Sequence, residues 1–216
     1  MRLLFLWLTA AVCLAADPLI HYSKSFPGSV PPYVGITLQR NGQVEYVEDP
    51  NDDNPLKLQL QKPEADEVFG LAEKLEKFKR PLESNLKVAN MGLKTFRYES
   101  DGERNEVKFN YSLDADGRTI ADWFERITET AQHLIQLERT VRFDKLGVNK
   151  ALLQMQAAME RKRLVALDQF LPLLDRVRKN ESYLNMARER AAALADGIRA
   201  GAIAATAPAG AGNQNQ

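Results

Sequence analysis

Tyr33-Val-Gly-Ile-Thr-Leu-Gln-Arg-Asn-Gly-Gln-Val-Glu-Tyr-Val-Glu48 is the stretch that decides the fold. Ile36 and Leu38 alternate with polar neighbours, and so do Val44 and Tyr46. Between the two runs stands Asn41-Gly42. A type I′ turn needs two residues that tolerate positive φ, and Asn-Gly supplies both, so the stretch predicts an antiparallel hairpin buried on one face. The residues from 19 onward lead into it as strand. After the polar loop Asp49–Pro55, Leu56, Leu58 and Leu60 alternate with Lys57, Gln59 and Gln61, which predicts another half-buried strand.

Helical spacing begins at Pro63. Val68, Ala72, Leu75 and Phe78 form the apolar stripe, Glu64, Asp66 and Glu67 fill the first turn, and Pro81 marks the end. A second hairpin follows, with strands at Lys94–Glu99 and Glu106–Ser112 around a turn at Asp101-Gly102. Thr119-Ile-Ala-Asp122 reads as a capping box opening a long helix, whose stripe is Ile120, Phe124, Ile127, Ala131, Leu134 and Leu137 with Trp123 beside it. Three further seams step by threes and fours. They are Val148/Leu152/Met155/Met159, Leu164/Leu167/Leu171/Leu174 and Leu184/Ala187/Ala191/Leu194/Ile198, broken at Gly147 and Asn180 and bent or restarted at Pro172. The expected fold is α+β: an antiparallel sheet of hairpins with two covering helices at 63–79 and 119–142, followed by a C-terminal all-helical region.

Both ends differ in composition from the middle. Met1-Arg2, the apolar run Leu3–Leu14 and the exit Ala15-Ala16 have the form of a secretory signal peptide, with a run too short to span a bilayer. The expected organisation is a signal peptide at 1–16, an α+β domain at 17–145, a helical region at 146–200 and a disordered Gly/Ala-rich tail at 201–216. The expected location is exported, periplasmic or secreted, with cleavage near Ala16 and no transmembrane helix in the mature chain. Cys13 is the only cysteine and lies inside the signal. Ala10-Ala11-Val12 before it lacks the usual lipidation pattern, so lipid anchoring at Cys13 is disfavoured. Without the first sixteen residues the chain has no disulfide and no thiolate nucleophile. The 29 basic and 29 acidic residues lose only Arg2, leaving a net charge of −1 and no electrostatic footprint for nucleic acid.

No residue set specifies chemistry, so no catalytic, cofactor-binding or metal residue is assigned and no cofactor is expected. The two histidines, His21 and His133, have no metal-ligand spacing between or around them. Two acidic loops, Asp49–Asn54 and Asp114–Gly117, have carboxylates at calcium-like spacing. The bidentate Glu at position twelve is replaced by Leu60 in one and by Trp123 in the other, so both read as turns. Glu160-Arg-Lys-Arg163 reads as a connection between helices rather than a phosphate contact. Phe26-Pro-Gly-Ser-Val-Pro-Pro-Tyr33 reads as a loop packed on the sheet, with a ligand-binding lip as its alternative.

Gly28, Pro31 and Tyr33, then Asn41-Gly42 and Tyr46, follow the order found at the start of a family of exported bacterial domains of unknown function, whose pattern is Cys-Phe-Gly-x-Cys-Pro-x-Tyr. The chain resembles that family over residues 20 to about 140. Phe26 and Val30 stand at the two cysteine positions, so the resemblance implies an apolar contact where the family closes the loop with a disulfide. It implies the strand-hairpin-helix-hairpin-helix layout and export, and no activity. The functional expectation is a non-enzymatic protein-interaction or structural module of the cell envelope, its partner an envelope protein bound through the C-terminal helices. The alternative is a small-molecule or glycan-binding domain with residues 26–33 as its lip, and a third is a hydrolase with dispersed acids.

Overall fold

The computed structural model describes residues 17–201. The expected signal peptide at 1–16 and all of the expected tail but Gly201 lie outside them. Six strands form one sheet in the order β4-β3-β2-β1-β5-β6, every neighbour antiparallel. They are β1 (Leu19–Ser25), β2 (Tyr33–Gln39), β3 (Gln43–Val47), β4 (Leu56–Gln59), β5 (Leu93–Ser100) and β6 (Glu103–Phe109). The Asn41-Gly42 hairpin forms as the sequence predicts, with Leu38 opposite Val44 and Ile36 opposite Tyr46. Gly42 has φ +86°, and a Cβ there would stand 2.5 Å from the Leu60 carbonyl oxygen. Only glycine fits, because β4 runs past the turn and Leu60 donates its N–H to the Gly42 carbonyl.

Strand alternation gives the sheet two unlike faces. Ile20, Tyr22, Ile36, Leu38, Val44, Tyr46, Phe96 and Tyr98 are buried on one. His21, Ser23, Thr37, Arg97 and Glu99 stand on the other, partly open to solvent. Helices α1 (Lys62–Lys74) and α2 (Ala115–Phe143) cover the apolar face. Phe124 of α2 stacks on Tyr22 at 5.0 Å between ring centroids, and Phe78 stacks on Phe96 at 5.0 Å.

Both covering helices depart from their expected bounds. The first ends at Lys74 rather than running to 79. Glu76, Lys77 and Phe78 then take left-handed φ values of 53°, 54° and 64° in a short 3-10 turn. That conformation is costly for residues with a Cβ. Burial of Phe78 and the Lys77 and Lys79 contacts to Glu103 offset the cost. The second helix starts at Ala115, not Thr119. Asp114 is its cap and accepts the Gly117 N–H at 2.8 Å, while Thr119 lies inside and donates its hydroxyl to the Ala115 carbonyl. The calcium-like spacing of Asp114 and Asp116 therefore belongs to a helix start.

Helices α3 (Val148–Glu160), α4 (Leu171–Lys179) and α5 (Asn185–Arg199) follow. Gly147 precedes α3, Asn180 ends α4, and Pro172 occupies the first turn of α4, where a missing N–H costs nothing. Leu164 is not helical as its seam implied. It lies in a connection that leaves α3 at Arg161 and reaches a 3-10 turn at Leu167–Phe170. Apolar burial is continuous from the sheet through α2 into α3, α4 and α5. Val141 of α2 accepts the Tyr183 hydroxyl at 2.9 Å, fixing the segment before α5 on the end of α2. Among the described residues no helix is long and apolar enough to cross a membrane.

Candidate functional site

The 161–168 connection is strapped to α1 and α2 by polar groups. Arg163 donates from Nε and Nη2 to Glu129 at 3.0 and 2.8 Å, and from Nη1 to Asp122. Those carboxylates push its guanidinium up from its ordinary range, Glu129 first. Thr130 Oγ1 accepts the Val165 N–H at 3.0 Å and donates to the Arg126 carbonyl at 2.9 Å. The Ala166 N–H reaches Glu64, whose carboxylate also accepts the Gln61 N–H at 2.8 Å at the start of α1. Ala166 itself has φ +48°. The basic run at 161–163 thus belongs to a connection, as expected, and Arg163 answers carboxylates of its own chain.

Held this way, the connection stands off α1 and α2 and leaves a cleft of about 530 Å³. Leu164, Val165, Ala166, Leu167 and Ile198 supply apolar wall, and Trp123 and Arg126 of α2 line it with them. Trp123 is buried and its indole N–H donates to Glu67 Oε1 at 3.1 Å. The Arg126 guanidinium lies over the Trp123 ring, 4.6 Å from the centroid. Arg126 is only 8% exposed, and its Nε has no hydrogen-bond partner. Burial pulls the guanidinium below its ordinary range, against the upward pull of Asp122 and Glu64. No ion pair to Arg126 exists among the described residues, whereas Arg163 has two carboxylates.

Glu64, Glu67 and Asp122 also line the cleft, and burial pushes the Glu64 carboxyl up. Convergent acids with one raised member are the minimum a hydrolase needs. Each already holds the fold together, however: Glu64 at the α1 cap and Ala166, Glu67 at Trp123, Asp122 at Arg163.

Residues 26–33 border a second, smaller hollow of about 280 Å³ between β1 and α2, with Lys24, Glu125 and Gln132 on its other sides. The Tyr22 hydroxyl at that hollow is buried and unpartnered, and burial raises its pKa. The expected apolar contact between Phe26 and Val30 is not made, since Val30 is 98% exposed. Hydrogen bonds close the loop instead. Phe26 N–H donates to the Pro32 carbonyl, and Ser29 Oγ lies 2.7 Å from both the Phe26 and Pro31 carbonyls.

His21 sits on the open sheet face, its Nδ1 3.0 Å from Thr37 Oγ1 and its Nε2 3.3 Å from Glu99. His133 lies on α2, bordering a polar groove against α3. The two histidines are not brought together. Asp49 and Asp52 accept the Asn51 and Asn54 N–H groups within their own loop, and no group of three His, Cys, Asp or Glu is placed to hold a metal ion among the described residues. The Leu/Ala seam of α5 faces inward, with Ala187, Ala191, Leu194, Ala195 and Ile198 all buried. Exposed apolar groups remain at the far end of the helices: Phe143, Leu146, Leu184 and Met186.

Arg126 is the residue that sequence reasoning passed over. It falls three after Trp123 and beside Ile127, within the apolar stripe of α2, and a lone arginine on a buried stripe was the available signal. Compared with protein-family models, curated proteins and solved structures, the chain matches none.

Proposed function

We propose that this is an exported, non-enzymatic binding module of the cell envelope, and that it holds a small molecule in the cleft between α1, α2 and the 161–168 connection. The observation that carries the reading is Arg126, a buried cation that makes no ion pair among the described residues and whose Nε has no hydrogen-bond partner, in a preformed hollow with one apolar wall. Desolvating a charge without an ion pair costs free energy, and a ligand in the cleft would supply the missing contact. The residue pattern of 1–16 and the resemblance to an exported family support the location. Native mass spectrometry of the protein purified from its own cells tests the reading: a discrete small-molecule adduct on the full chain, absent from Arg126→Met, is the expected result. Ligand-free protein from every native preparation, with no response to an extract of the same cells, would count against it.

A second reading rests on a different surface. Phe143 and Leu146 are 82% and 75% exposed, and the Lys145–Tyr183 and Asn149–Met186 contacts bring their segment beside Leu184 and Met186. Such a patch suits an envelope protein partner. Crosslinking in intact envelopes should capture the same partner with the full chain and lose it with Phe143→Ser/Leu146→Ser. Capture that survives both substitutions removes this surface from the account.

A further inference from the structure

We propose that the ligand of the cleft is an apolar monocarboxylate, its carboxylate on the Arg126 guanidinium and its hydrocarbon body against Trp123, Leu164, Leu167 and Ile198. This rests on the small-ligand reading above and adds the ligand's chemistry. A guanidinium presents paired N–H donors in a rigid fork that matches the two oxygens of a carboxylate. The guanidinium carbon lies 4.6 Å from the Trp123 ring centroid and its Nε–H has no hydrogen-bond partner, so donor capacity on this group is left to be answered.

The rest of the lining decides the number of charges. Arg163 is already taken by Asp122 and Glu129, while Glu64, Glu67 and Asp122 border the same space. Glu64, Glu67, Asp122 and Asp168 face Arg126, Arg161, Lys162 and Arg163 around the lining, so the cleft carries no surplus positive charge to hold a dianionic phosphate. A single negative charge is neutralised by Arg126 alone. One wall of the cleft is hydrocarbon, with Leu164, Val165, Ala166 and Ile198 all buried side chains. A volume of about 530 Å³ falls within the ordinary range for small-molecule sites.

Trp7 and Trp123 are the only tryptophans, so a chain beginning at Asp17 reports from the cleft alone when its indole fluorescence is read. The probes are decanoate and 4-phenylbutyrate, their neutral counterparts decanol and 4-phenylbutanol, and inorganic phosphate. At least one acid should shift Trp123 emission saturably, with calorimetry giving one site per chain. Its alcohol and phosphate should bind more weakly by about tenfold or more. Arg126→Met should lose binding of the acid by a similar factor and still melt cooperatively, and Arg126→Lys should recover part of it. An alcohol that binds as tightly as its acid, an acid indifferent to Arg126→Met, or phosphate that outcompetes both acids would overturn the carboxylate assignment while leaving a ligand in the cleft. No saturable response to any probe overturns the assignment outright; the native adduct experiment then decides separately whether the cleft binds anything.

Discussion

Arg126 and Thr130 lie one turn apart on α2 and do opposite things for stability. The Thr130 hydroxyl satisfies the buried Val165 N–H and is itself 0% exposed. Thr130→Val keeps the shape and orphans that N–H, so it should cost about 1–3 kcal/mol in denaturant unfolding. Arg126→Met removes a buried charge that makes no ion pair, so the ligand-free variant should be no less stable than the parent, as replacement of buried charges by apolar groups commonly is. The histidines set a pH dependence. Burial, then Arg97, holds His21 below 6.5 against Glu99, and burial holds His133 below the same value. The unfolded chain therefore takes up these protons first. The stabilisation is complete above pH 6.5 and is lost as the pH falls through 6.5 toward the folded values. Glu64, raised by burial, acts in the opposite sense at lower pH, above its ordinary 4.5. Melting temperature should fall as the pH is lowered from 7 through 6.5, and His21→Gln/His133→Gln should flatten the slope there. A flat profile in the parent would remove both histidines from the account.

At the scale of elements, the start of α2 separates what was written plainly from what was not. Thr119-Ile-Ala-Asp122 has the form of a capping box, yet Asp114 is the cap. Asp114→Ala should cost about 1 kcal/mol by thermal or denaturant unfolding, while Thr119→Ala should sit near zero. Equal losses would place the start of the helix where the capping box implied. The hairpin at Asn41-Gly42 was legible because turn chemistry and alternation are both local, and the register at Leu38 and Val44 follows from them. The left-handed turn at 76–78 was not, because Glu, Lys and Phe carry no sign of positive φ; Phe78 burial and Glu103, distant in sequence, impose it. The cleft was hidden for the same reason. Its walls come from α1, α2, the 161–168 connection and Ile198, and no short window contains even two of these together. Only the anomaly of Arg126 within an apolar stripe was there to be read.

At the scale of the whole molecule, the helices after Asp144 complete the packing that the sheet and α2 begin. Val148, Leu152, Leu174, Ala187 and Ala195 are as fully buried as Ile20 or Phe124, in one continuous cluster. Unfolding should therefore be a single transition, with near-ultraviolet circular dichroism and Trp123 fluorescence moving together. Two separated transitions would show the helical region to be an independent unit. Deleting residues 185–201 should abolish cooperative melting rather than leave a trimmed but folded remainder. The inward seam of α5 also makes protein capture by truncated chains a poor test of partners, since truncation uncovers this core. That is why point substitutions at Phe143 and Leu146 are preferred.

The inward position of α5 bears on how the chain is made. A core whose closing element is synthesised after the sheet, α2, α3 and α4 cannot reach its final packing while that element is still in the ribosome. A late keystone helix is thus a built-in delay, holding the sheet, α2, α3 and α4 short of their final packing until α5 has followed them.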